Sequence, residues 1–177
     1  MSDPADAPAA VPRLDARAWR DPAVLVVTGL GSGFARPAPG TWGSLVAAVV
    51  WWLVLAELSW PVQLAVMAVV FVAGCHLTAV VGRRYGVHDD PAIVVDEFVG
   101  VWLALLAAPA TWAAALAGFL VFRVLDIAKV GPVGWVDRRV PGAAGVMLDD
   151  VVAGGLALLV LQLAYPLLPG PLFGVSA

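Results

Sequence analysis

The sequence predicts an all-α fold: a compact multi-helix membrane bundle with a short helical hairpin and a polar face on the cytoplasmic side. Three observations carry this. The 177 residues are 62% hydrophobic and only 13% charged, with a mean hydropathy of +0.92, a composition of the membrane class. Four apolar stretches divide the chain, at Ser44–Leu58, Val62–Val81, Val99–Phe122 and Val151–Leu168. All ten Lys and Arg residues fall between or before these stretches, in places that a single membrane face can share.

Residues 1–22, rich in Ala, Pro and Asp, read as a disordered cytoplasmic head. They do not read as a secretory signal, because Asp3 and Asp6 precede any basic residue and no apolar segment follows. Residues 23–177 read as one helical, membrane-embedded domain. A spanning helix needs about 20 apolar residues, which suits the second and fourth stretches and leaves the first short. The third stretch is broken by Pro109 and Thr111. Read as a hairpin turning at residues 107–111, it keeps every basic residue on one side, as the positive-inside rule prefers. Read as one span, it would put Arg123, Lys129, Arg138 and Arg139 outside. The hairpin is therefore expected, although its arms are too short to cross a bilayer unaided. Asp96-Glu97-Phe98-Val99-Gly100 and Asp149-Asp150-Val151-Val152-Ala153 each stand where an apolar helix opens; in a chain so rich in Val, Ala and Gly this likeness reads as coincidence.

Several function classes drop out. A net charge of -3 offers no basic excess for nucleic acid. Cys75, the single cysteine, excludes an internal disulfide, and Val81 stands where a cysteine phosphatase would need Arg. His76 sits in an apolar run and reads as a packing residue. His88, in the polar stretch HDDP, reads as a minor neighbour of a metal or phosphate. With two histidines and no G-x-S-x-G, a Ser-His hydrolase is not expected. By elimination, a metal-activated water is the expected attacking group.

Five carboxylates mark apolar boundaries: Asp96, Glu97, Asp126, Asp149 and Asp150. An Asp at the centre of a membrane helix costs about 2.5–3.5 kcal/mol, so such residues need water, basic partners or a cation. Helix capping would account for one acid per helix, worth about 0.3–1 kcal/mol, but here they come in pairs. Acids at membrane depth are usually functional, and oxygen ligands without a Cys/His set suit Mg²⁺. Arg123, Asp126 and Lys129 are spaced to share one face of a continuing helix. They fit either a surface ion pair of little consequence or a phosphate grip in which Asp126 binds the metal. Gly29–Ser44 (GLGSGFARPAPGTWGS) precedes a helix N-terminus suited to an anion, but it fails both G-x-G-x-x-G and the Walker loop and reads alone as a flexible, capped loop.

Together the segments GLGSGFARPAPGTWGSL (29–45), VVDEFVGVWLAL (94–105), FRVLDIAK (122–129) and GVMLDDVVAGGLA (145–157) resemble the phosphatidylglycerophosphatase A family, in the family's order. The chain departs from it at Lys129-Val130-Gly131-Pro132-Val133, where the family has a Lys-Pro-x-Pro-Ile type segment. The resemblance implies a Mg²⁺-dependent membrane lipid phosphatase of phospholipid biosynthesis, converting phosphatidylglycerophosphate to phosphatidylglycerol and inorganic phosphate. It further implies Asp96, Glu97, Asp149 and Asp150 as metal ligands or supporting acids, and Asp126, Asp150 and Lys129 as catalytic residues. Arg123 and Lys129 would grip the phosphate, with Arg36, Gly40, Thr41 and Ser44 of the glycine-rich segment closing over it. The acyl tails would stay in the membrane lipid. Two other classes remain open at this point. One is a small cation or solute transporter, which the placement of the acids at helix ends disfavours; the other is a non-catalytic assembly factor. A related phospholipid monoester is the alternative substrate.

Overall fold

The computed structural model describes residues 13–87, 90–129, 131–140 and 142–167. Among them every regular element is helical, in the order α1 (Pro22–Val27), α2 (Pro39–Val50), α3 (Trp60–Tyr85), α4 (Val95–Ala104), α5 (Trp112–Ala128), α6 (Pro132–Arg139) and α7 (Gly142–Ala164). Prolines open α1, α2, α3 and α6, where a missing N–H costs nothing. A single wide turn, Trp51–Leu55, continues α2. It is pinned by Trp51 Nε1 donating to Gln63 Oε1 at 3.3 Å, while Gln63 Nε2 donates to the Leu58 carbonyl at 2.9 Å.

Two segments are long and apolar enough to cross a membrane, Trp60–Tyr85 and Gly142–Leu167. At 1.5 Å per residue, 26 residues span about 39 Å against about 30 Å of hydrocarbon. Both correspond to the stretches expected to span. The third stretch forms the expected hairpin: α4 and α5 flank a turn at 105–111, where Ala107 adopts a φ of 56° and Thr111 caps α5 by accepting from Ala114 N–H. The short first arm is explained by its surroundings. Eight of the ten α4 residues are buried, so α4 is the hub between α2, α3, α5 and α7. Exposed apolar side chains lie on the other helices: Val69 and Val72 on α3, Leu116, Leu120, Val124 and Ile127 on α5, and Leu159 and Leu163 on α7. Trp60 and Trp112, both exposed, open α3 and α5 at one end of the bundle, a position typical of membrane interfaces.

The structure corrects one helix boundary that matters. The fourth apolar stretch was expected to open with Asp149 and Asp150, but α7 begins at Gly142. The two acids therefore lie about two turns inside the helix, and capping cannot account for them. Of the head expected at 1–22, residues 1–12 lie outside the described residues. From residue 13 on the chain is placed: Leu14 is buried, its N–H donates to Asp90 Oδ2 at 2.7 Å, and Asp21 caps α1 by accepting from Ala23 N–H. Asp21 also accepts from the Arg84 guanidinium and, at 3.1 Å, from the Tyr85 hydroxyl, which ties α1 to the end of α3.

The hub holds its neighbours at glycine distance. A Cβ on Gly154 of α7 would fall 2.3 Å from the Gly100 carbonyl of α4; one on Gly100 would fall 2.4 Å from the Phe122 ring and 2.9 Å from the Asp150 carbonyl. Small residues at such crossings let membrane helices approach closely.

Two predictions follow from this packing. Gly154→Ala should destabilise the fold by about 1–3 kcal/mol through overpacking against backbone. Gly155→Ala, whose new Cβ meets nothing within 4 Å, should be neutral or slightly stabilising, gaining up to about 1 kcal/mol of helix propensity. Unfolding in detergent micelles, followed by circular dichroism, separates the two. The second concerns acid. Arg84 first, then the Ala23 N–H, hold the Asp21 carboxyl below its ordinary value. The stabilisation this gives is complete above the unfolded-state value near pH 3.9 and is lost as pH falls through the lower folded value. The melting-temperature gap between wild type and Asp21→Asn should thus be present at pH 7 and close toward pH 3.

Candidate functional site

The polar side chains collect at the end of the bundle opposite Trp60 and Trp112. Asp96 and Glu97 occupy the first turn of α4, and the glycine crossing brings the third turn of α7 beside them. One oxygen each from Asp96, Glu97 and Asp150 lie within 4.8 Å of one another. Adjacent helical residues diverge by about 100°, which explains the split within the Asp149–Asp150 pair. Asp150 turns toward α4, whereas Asp149 turns toward Lys129, its Oδ2 3.4 Å from Nζ. Asp96, Asp149 and Asp150 are all buried.

Arg123 sits behind this group. Its Nη1 donates to Asp126 Oδ2 at 2.7 Å, stands 3.8 Å from Glu97 Oε1, and reaches Ser44 Oγ at 3.5 Å. Ser44 in turn donates to the Gly40 carbonyl at 2.8 Å. Gly40 lets Glu97 and Arg123 pack close: a Cβ there would lie 2.3 Å from Glu97 Oε1 and 3.4 Å from Arg123 Nη1, so these side chains would have to shift. The glycine-rich segment thus serves the site by backing Glu97. Glu97 Oε2 and Arg123 Nε are buried without a hydrogen-bond partner, an arrangement that costs free energy unless something else engages them.

Lys129 departs from the expected helical stripe. The helix ends at Ala128, and Lys129 adopts a left-handed conformation with φ 44°. Its ammonium binds Asp137 of α6 as well as Asp149. Partial burial pulls the ammonium down, but the Asp137 hydrogen bond and the Asp149 charge outweigh it and hold it above the ordinary lysine value.

Asp96, Glu97, Asp126, Asp149, Asp150 and Lys129 all line one cavity of about 620 Å³. Asp137, Arg83 and Thr78 line it too, and none of these was singled out from the sequence. Asp137 lies in the hydrophilic run WVDRR, where nothing distinguishes it from a surface acid; only the fold reveals its partner. Arg123, Gly40 and Ser44 form a layer behind Glu97 and do not reach the cavity. Arg36 is exposed and Thr41 half-buried, and neither lines it. His76 is exposed on α3, not packed inside as expected, and His88 lies outside the described residues. Among the described residues no Ser, Cys or His faces the cavity.

This donor set suits a small hard cation. It consists of carboxylate oxygens alone, the ligand type that Mg²⁺ takes.

Comparison with known proteins follows the same line. The family description Phosphatidylglycerophosphatase A matches residues 25–165. The chain is 42% identical over 131 residues to a protein of Escherichia coli (strain K12) named phosphatidylglycerophosphatase A, covering 73% of this chain and 76% of that one. It is 40% identical over 141 residues to a Haemophilus influenzae protein of the same name, covering 79% and 86%. A Bacteroides thetaiotaomicron protein provisionally named phosphatidylinositol-3-phosphatase is 38% identical over 151 residues, covering 80% and 92%. No solved structure matches the chain.

Proposed function

Because the chain belongs to the phosphatidylglycerophosphatase A family, we propose that it hydrolyses phosphatidylglycerophosphate to phosphatidylglycerol and inorganic phosphate. The reaction is Mg²⁺-dependent and takes place at the cytoplasmic face of a multi-pass membrane bundle. The observation that carries this is the convergence of Asp96, Glu97 and Asp150, from two helices, on one point of a polar cavity at the end of an apolar bundle. The orientation rests on the basic residues, which stand at the acidic end and belong inside by the positive-inside rule.

Charge decides how the cavity treats its substrate. Six lining side chains are carboxylates and two, Arg83 and Lys129, are cationic. Such a surface repels a phosphate monoester unless a divalent ion reverses the local sign. Asp96, Glu97 and Asp150 would hold Mg²⁺, with Asp149 beside them. Bound there, the ion supplies charge neutralisation on the phosphoryl oxygens and lowers the pKa of an attacking water. Lys129 binds a phosphoryl oxygen from the cavity rim. Asp126, its Oδ2 fixed by Arg123, accepts the proton of the attacking water and returns one to the leaving glycerol oxygen. Arg123, buried against Glu97 and Asp126, orients these two carboxylates. The acyl tails remain in lipid beside α5, whose exposed stripe extends to Ile127.

A second substrate reading is favoured by the Bacteroides relative, whose name specifies a phosphoinositide headgroup. The carboxylate site acts on the monoester phosphate whichever headgroup bears it, so the two readings differ only in the rest of the cavity.

Purified protein in mixed micelles should release phosphate from phosphatidylglycerophosphate with Mg²⁺ and stop when the ion is chelated. Asp96→Asn and Asp150→Asn should lose more than about 100-fold in kcat/KM, beyond what a supporting residue costs, while Arg123→Ala should lose about 10- to 100-fold. Mg²⁺ should raise the melting temperature of wild type and fail to do so in Asp150→Asn. Faster turnover of phosphatidylinositol 3-phosphate would reassign the substrate. No phosphate release, with cation flux in liposomes, would replace the enzyme by a transporter.

A further inference from the structure

Helix α6 touches Lys129 at both ends of the residue. Its Gly134 lies so close that a Cβ there would fall 2.5 Å from the Lys129 carbonyl oxygen. Three residues on, and so on the same helical face, Asp137 takes the Lys129 ammonium. Between them the backbone of Lys129 is held left-handed, a conformation that helix ends ordinarily assign to glycine. Unfavourable backbone of this kind persists where surrounding contacts fix it, and it gathers at functional sites.

Stability does not explain the pair. The Lys129 and Asp137 side chains are 42% and 38% exposed, and exposed ion pairs of this sort contribute little to folding. What the contact does fix is the position of Nζ. A lysine stem is flexible and carries three N–H donors. Asp137 and Asp149 engage two of them from different helices, which leaves one for a ligand in the cavity that all three residues line.

We propose that Asp137 is a positioning residue for the substrate phosphate: it acts through Lys129, holding the ammonium at the cavity rim with one donor free for a phosphoryl oxygen. This rests on the lipid phosphatase reading above, in which Lys129 contacts the phosphate. Without Asp137 the ammonium retains only Asp149 and swings among rotamers, or folds down onto that acid and away from the substrate. The contact to a phosphoryl oxygen exists in the bound ground state and in the transition state alike. Its loss therefore appears in KM more than in kcat.

The test is a double-mutant cycle on the full chain, with phosphate release from phosphatidylglycerophosphate micelles in saturating Mg²⁺. Asp137→Ala should raise KM about 5- to 10-fold, within the range of coupling between contacting residues, with kcat changed by less than about twofold. The inhibition constant of inorganic phosphate should rise by the same factor. Asp137→Glu should recover most of the loss, and Asp137→Asn, which keeps the size and a hydrogen-bond acceptor, should fall between. In a Lys129→Ala background, Asp137→Ala should change neither KM nor the phosphate inhibition constant. An unchanged KM in Asp137→Ala, or an equal effect of Asp137→Ala with and without Lys129, would overturn the positioning role and leave the phosphatase reading standing. A wild type that releases no phosphate would overturn both.

Discussion

The close crossing of α4 and α7 at Gly100 and Gly154 is the constraint on which the rest of this bundle depends. A carboxylate side chain is short, so acids on two helices share a cation only if the helix axes come nearer than ordinary side chains permit. With the Gly100 carbonyl where a Gly154 Cβ would stand, the first turn of α4 meets the third turn of α7 and three carboxylate oxygens come within 4.8 Å of one another. The same approach explains why α4 is short and central. It has to be buried on most sides to bring Asp96 and Glu97 inward together, and a helix so placed contributes little to the exposed apolar surface.

Concentrating acids in this way creates a debt of charge that the protein meets with few cations, each of them shared. Arg123 spans Glu97, Asp126 and Ser44; Lys129 spans Asp137 and Asp149. Arg123 approaches the Asp96–Glu97–Asp150 group only at Glu97, 3.8 Å from Oε1, and among the described residues neither Asp96 nor Asp150 has a cationic partner. A fold that merely required buried polar groups to be satisfied would have paired these too. Asp96 and Asp150 without a cationic partner, and Glu97 Oε2 without a hydrogen-bond partner, cost free energy unless something else engages them.

Much of this was legible in the residues because acids beside apolar runs are expensive and therefore informative. Asp96, Glu97, Asp126, Asp149 and Asp150 could be singled out before any fold was known, and they do line one cavity. The hairpin was legible for a similar reason, since Pro109 and the basic residues beyond it fit poorly with a single span. Helix ends were not. Apolar composition marks where a helix enters lipid, not where its hydrogen bonds begin, so α7 starts nine residues before its apolar stretch. Lys129 was misplaced on a continuing helix because nothing in IAKVG announces a left-handed lysine. Gly100, Gly154 and Gly40 were hidden among 18 glycines, and Asp137 in a run of ordinary surface composition. What distinguishes each of these is a neighbour distant in sequence, and one chain read alone does not name it.

The exposed apolar stripe beside the site accounts for why a lipid phosphatase would be built from apolar helices. Val124 and Ile127 point outward from α5, 66% and 67% exposed, while Arg123 and Asp126 on the same turns point inward. The exposed apolar stripe of α5 therefore runs to within one helical turn of Lys129. Lifting a diacyl lipid into water costs about 0.8 kcal/mol for each exposed CH₂, which for two full chains exceeds what any headgroup contact returns. With that stripe in lipid, as in the function proposed above, a cavity beside its end would remove that cost, because only the phosphate would have to leave the headgroup layer. The two demands on α5, apolar outside and charged inside over the same stretch, are met because its C-terminal end divides Arg123 and Asp126 from Val124 and Ile127 around the helix.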